Sequence, residues 1–222
     1  MKTTRDYYFE YIESAHRELL ENCPQWVNLN LCMDQFISLL LSILKKLSVT
    51  DLEEKYRLTL TVSFIRTHFV IIDLIEASDL IEAATLIRKQ AELLARFNEI
   101  GDKDLHKLFG KTPNIAAVNI GATYGSLSEI AHSSKLETMS LLGIQANAEH
   151  TSFSVYPVFN EHTLKTISIY CDVFCKFVAA MLQYEQLSIS KDFNTISMEI
   201  INNFIEEGLK SNIDYFEIWK ES

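Results

Sequence analysis

The 222-residue chain is 48% apolar and 23% charged, an ordinary globular composition that argues against disorder. A chain of this length buries enough surface to need no disulfide or metal staple, and it fits a single domain. Its formal net charge of −10 disfavours an extended nucleic-acid surface, which calls for clustered Lys and Arg.

The first stretch, 4–22, places Tyr8, Ile12, Ala15 and Leu19 at helical spacing. Its opening residues lack the apolar core of a signal peptide. Pro24 breaks the chain, and a second helix is expected over 31–47. Apolar residues surround that segment, the pattern of a central helix touched on several sides. Runs such as 36–44 are short and interrupted by Ser38 and Ser42, so no membrane span is expected.

A third helix over 51–77, capped by Ser48 or Thr50, has Asp51, Glu53 and Glu54 in its first turn. Its solvent face reads Lys55, Thr59, Ser63, Arg66 and Asp73, and His68 falls on the opposite, apolar side. Ser78 is the expected cap of a fourth helix, 79–100, with a core stripe of Leu80, Ala84, Ile87, Ala91 and Leu94. Gly101 is a natural left-handed stop. A helical turn follows within 102–110, then a loop at Pro113 and a helix starting at Ile115 or Asn119 and ending at His132.

Period-two alternation at 151–157 marks an extended crossover or hairpin within 143–159, and Pro157 confines it to an edge. Asn160 caps a long helix to about 186, and Ser188 or Ser190 opens the last one, to Gly208. The aromatic tail Tyr215, Phe216 and Trp219 needs a surface to dock on, which makes a homodimer plausible. No fixed-period repeat or low-complexity linker interrupts the chain. The expectation is an all-α single domain: a bundle of about six to seven helices with one irregular crossover.

The four cysteines lack knuckle spacing: Cys171 and Cys175 share a helix face, and Cys23 and Cys32 are too far apart. Buried free thiols in a reducing, cytoplasmic setting are expected, with no metal and no cofactor.

Chemistry concentrates between Asp79 and His132. Arg88 and Glu92 lie one turn apart beside the core stripe, where a half-buried guanidinium needs carboxylate or carbonyl partners. Tyr124, Ser128 and His132 project from one side of a helix, about 12 Å from end to end. The helix dipole would favour protonated His132. No nucleophile elbow or phosphate loop accompanies them. His68 either belongs to the same pocket or is a core histidine.

The order Arg88-x-x-x-Glu92, then Tyr124-x-x-Leu127-Ser128-x-x-x-His132, resembles a pattern in uncharacterised bacterial all-helical families, catalogued as domains of unknown function. The resemblance spans roughly residues 55 to 135 and implies a helical bundle with a polar pocket at these residues. Some proteins of this look resemble nucleotide-binding helical domains of toxin and antiviral systems. The ribonuclease signature there is an Arg followed by four to six residues and a His. The present chain departs from it: Arg66 is two before His68, and Arg96 is ten before His106.

The functional expectation is a binding or interaction protein holding a small anionic or nucleotide-like ligand among Arg88, Glu92, Tyr124, Ser128, His132 and His68. In that arrangement Arg88 takes the anion and Glu92 orients Arg88. One rival is a metal-independent nuclease with His132 as general base and Arg88 stabilising charge. Another is a purely structural bundle.

Overall fold

The computed structural model describes residues 2–101, 104–118, 120–131, 141, 145–146, 151–152, 156–184, 187 and 191–216. These residues form α1 (Thr4–Asn22), α2 (Trp26–Leu44), α3 (Leu52–Glu76), α4 (Leu80–Glu99), the single turn α5 (Leu105–Leu108), α6 (Gly121–Ala131), α7 (Glu161–Gln183) and α8 (Lys191–Leu209). Short 3-10 turns cover Ile115–Val118 and Asp214–Phe216. The chain is an all-α bundle. Its expected crossover contains a two-residue antiparallel ladder, with Gln145 opposite Ser152 and Ala146 opposite Thr151.

The element touched on most sides is α4, which packs against α3, α6, α7 and the 3-10 turn at Ile115–Val118. Small side chains explain why it can. Ala83, Ala84, Ala91 and Ala95 are all buried, so neighbouring backbones approach closely where a larger residue would hold them apart. The expected stripe of Leu80, Ala84, Ile87, Ala91 and Leu94 is buried throughout. The central role expected of the second helix therefore belongs to α4. Along α2, Val27, Leu31, Asp34, Gln35 and Ser38 stay exposed. Aromatic rings fill the space on its inner side: Phe36 meets Phe174, Phe177 and Phe193, and Phe64 of α3 stacks on Phe177 at 3.8 Å between centroids.

Helix ends follow local hydrogen-bond demand. Thr3 and Asp6 form a capping box on α1, and Asn160 and Thr163 form one on α7. On α3 the cap is Asp51, which accepts from the backbone N–H of Glu53 and Glu54 at 2.8 and 3.1 Å; neither Ser48 nor Thr50 fills that place. Ser78 does not cap α4 either. It sits beyond the end of α3 at φ 56°, and the Asp79 N–H reaches back to the Leu74 carbonyl at 2.8 Å. This is a left-handed helix stop with serine where glycine is usual. The buried Ser78 hydroxyl lies 3.3 Å from Thr163 Oγ1, tying this corner to α7. Gly101, at φ 96°, ends α4 as expected.

By length and composition, α2, α3 and α7 are each long and apolar enough to cross a membrane. The expectation of no span rests on uninterrupted runs; over whole helices the length limit is met. The tail also finds its surface within the chain. Phe216 is fully buried, 5.4 Å from Phe204 of α8 between centroids, and Tyr215 is half-buried. Burial of these two rings gives no argument for a dimer, and Trp219 lies outside the described residues.

Gly208 lets the Phe216 ring press onto α8, because a Cβ there would lie inside van der Waals contact of the ring. Gly208→Ala should therefore lower stability by about 1–3 kcal/mol in urea unfolding, despite alanine's better helix propensity. A neutral or stabilising result would mean that the ring does not pack there.

Candidate functional site

Three of the expected site residues meet. Arg88 and Glu92 project from α4 toward α6, where the Tyr124 hydroxyl donates to Glu92 Oε1 at 2.6 Å. Arg88 Nε donates to the Tyr124 oxygen at 3.3 Å and lies 3.2 Å from the same Glu92 oxygen. The guanidinium also stands over the Tyr124 ring, 5.4 Å from its centroid. Burial and the Glu92 carboxylate raise the Tyr124 pKa, so the phenol remains a donor. The Arg88 and Glu92 side chains are 23% and 32% exposed, which makes this a half-solvated tie between helices. Ser128 lies half-buried one turn further along α6. His132 is outside the described residues.

His68 belongs to a different group. It is fully buried on α3, and its Nδ1 pairs with the Tyr170 hydroxyl on α7. Its Nε2 faces Asp34 Oδ1 on α2 at 3.5 Å. A carboxylate only accepts, so the partners assign the proton to Nε2 and make Nδ1 the acceptor of the tyrosine O–H. Desolvation lowers the His68 pKa and outweighs the opposing pull of Asp34, so the ring is held neutral.

Asp34 is also part of a cleft of about 440 Å³ where α1, α2 and α3 meet. Its polar lining is His16, Asn30, Asp34, Asp73 and Glu76, and its apolar lining includes Leu20, Val27, Phe69 and Ile72. Glu76 is the anchor: Oε1 accepts from Trp26 Nε1 at 3.2 Å and from Asn30 Nδ2 at 3.0 Å. Its other oxygen lies 3.6 Å from His16 Nδ1. Burial raises the Glu76 pKa against the lowering influence of His16, Trp26 and Asn30. The Asn30 side-chain oxygen is buried without a hydrogen-bond partner.

A second cleft, about 520 Å³, lies at the far end of α4. The buried Arg96–Glu99 pair there, 2.9 Å apart, also holds the loop: Arg96 donates to the Lys111 carbonyl, and the Asn114 N–H donates to Glu99 at 3.3 Å. Both charges are used in fastening that loop to α4.

Sequence reasoning missed the cleft. The available signals were Asp34 inside a nearly apolar helix and the Trp26/Asn30 and Asp73/Glu76 spacings, each of which puts two groups on one helix face. Nothing in one sequence says that the three helices converge.

Two outcomes test these assignments. Because the Arg88 tie is half-solvated, Tyr124→Phe and Arg88→Ala should each cost about 1 kcal/mol in urea unfolding. Losses near 3 kcal/mol would mean a desolvated network. For His68 the folded pKa lies below the ordinary 6.5, so its contribution to stability is complete above that value and declines as pH falls from it toward the folded pKa. The difference in unfolding free energy between the parent and His68→Gln, measured between pH 8 and 5, should therefore shrink as pH falls below 6.5.

Comparison of the chain with protein-family models, with curated proteins and with solved structures gives no match.

Proposed function

We propose that this protein is a non-catalytic binding module whose ligand site is the cleft between α1, α2 and α3, and that the ligand presents a cationic group. The observation carrying this reading is the electrostatic imbalance of the cleft wall. Among the described residues, Asp34, Asp73 and Glu76 face one potential cation, His16, across a space of about 440 Å³ with apolar sides. Concave, largely preformed sites with a few placed polar groups are where small ligands bind. Among the described residues, no group of three or more His, Cys, Asp or Glu is arranged to hold a metal ion, which favours an organic cation.

The Arg88 cluster supports an anion site less well. Glu92 already meets the guanidinium, and an incoming phosphate or nucleotide would have to displace that carboxylate or tolerate its charge. A tie between α4 and α6 fits the same geometry without that cost. A nuclease would need His132 beside Arg88 as its base.

A water-exposed, cytoplasmic setting is part of the proposal. It is supported by the exposed Lys55 and Arg66 on α3 and by four free cysteines, which suit a reducing compartment.

The test is a chemical-shift titration of the isotopically labelled full chain with n-butylamine, with butyrate at equal ionic strength as control. Saturable shifts at Asn30, Asp34 and Glu76 with the amine alone are the expected outcome. Equal responses to both, or none at these positions, would sink the cationic-ligand reading.

A further inference from the structure

We infer that the cationic group is a Lys or Arg side chain on an amphipathic helical segment of a partner protein, which docks along α2 and α3 with that side chain in the cleft. This rests on the proposed cationic-ligand reading and adds the identity of the occupant.

The apolar surface at the cleft extends further than a small amine could use. Val27 and Phe69, which line it from opposite helices, are 55% and 47% exposed. Leu31, one turn along α2 from Val27, is 55% exposed, and Val70, next to Phe69, is 47% exposed. Single exposed apolar residues are ordinary, but these flank one concave acidic site and continue past it. Two apolar lips around an acidic floor complement a helix bearing aliphatic side chains one turn apart with a basic residue between them.

Charge selects this occupant over a membrane. A chain of net charge −10 whose cleft is itself acidic would be repelled by an anionic lipid surface. A basic peptide gains from both the local and the overall field. His16 and Glu76 would stay paired at the back of the cleft, 3.6 Å apart. Asp34, whose side chain is 59% exposed, and Asp73, also exposed, are the groups an incoming ammonium or guanidinium can reach. Charge-assisted hydrogen bonds to such carboxylates are stronger than neutral ones and fix the register of the docked helix.

The experiment measures fluorescence anisotropy of a labelled amphipathic helical peptide of about 14 residues, long enough for four turns, with leucines flanking a central lysine. The control peptide carries glutamate in place of that lysine. The full-length protein should bind the lysine peptide and leave the glutamate peptide free. Asp34→Asn combined with Asp73→Asn should weaken binding about tenfold or more. Leu31→Lys on the exposed lip, which leaves the His68 contact of Asp34 intact, should weaken it as well. Circular dichroism melts confirm that each variant is folded before its binding is read.

Equal binding of the two peptides, or no effect of either variant in folded protein, overturns the inference. Saturable n-butylamine binding without peptide binding overturns the peptide and leaves the cationic site standing; loss of both removes the site itself. Self-association of the full chain that Leu31→Lys abolishes, seen by sedimentation without peptide, assigns the surface to a second copy and also overturns the inference.

Discussion

Close approach of helices to α4 is the constraint on which the bundle depends. Alanines at 83, 84, 91 and 95 leave no side-chain bulk to hold α3, α6 and α7 apart from it. The larger groups on the same helix then act at its margins. Ile87, Leu94 and Phe97 fill the core, and the Gln90 amide donates to the Phe64 carbonyl at 3.0 Å. Arg88 and Glu92 reach out to Tyr124, while Arg96 and Glu99 hold the 111–114 loop. One helix thus supplies both the apolar axis and the polar ties. A buried ion pair such as Arg96–Glu99 is weak evidence for net stability, since desolvation offsets much of its attraction; its visible consequence is the fixed course of the loop.

One junction shows opposing demands meeting at two adjacent residues. At the α3–α4 corner, Ser78 accepts an unfavourable left-handed conformation, and its hydroxyl gains a buried partner in Thr163. Next to it, burial and the nearby Glu82 carboxylate push the Asp79 pKa up to about 7. The positive end of α4 works in the other direction. A folded pKa above the ordinary 3.8 means that Asp79 favours the fold most when protonated, and that this advantage is lost as pH rises through 7. The dependence has the opposite sign to that of His68, so the two groups offset each other where their windows overlap below pH 6.5.

Helices and core stripe were legible because they are periodic in sequence: a repeat of 3.6 residues survives in one chain, and Leu80 to Leu94 obey it. The caps were less so. Ser48, Thr50 and Asp51 are all competent, and the choice depends on where α3 starts after its packing is settled. The Arg88/Glu92/Tyr124 meeting was partly legible, since two of its members share a helix face. Which element faces His68 was not. Tyr170 and Asp34 lie 102 and 34 residues away from it, and only tertiary packing brings α2 and α7 to the same imidazole. The cleft went unseen for the same reason, as its wall draws on three helices.

The indole of Trp26 gives the molecule an optical property of its own. The chain has two tryptophans, and this one is fully buried while its N–H is bonded to Glu76 at the back of the cleft. An indole bonded to a carboxylate emits according to the charge and polarity beside it. Any change in the protonation or pairing of Glu76 is therefore written into the intrinsic emission, and that carboxylate can be followed by light without attaching a dye.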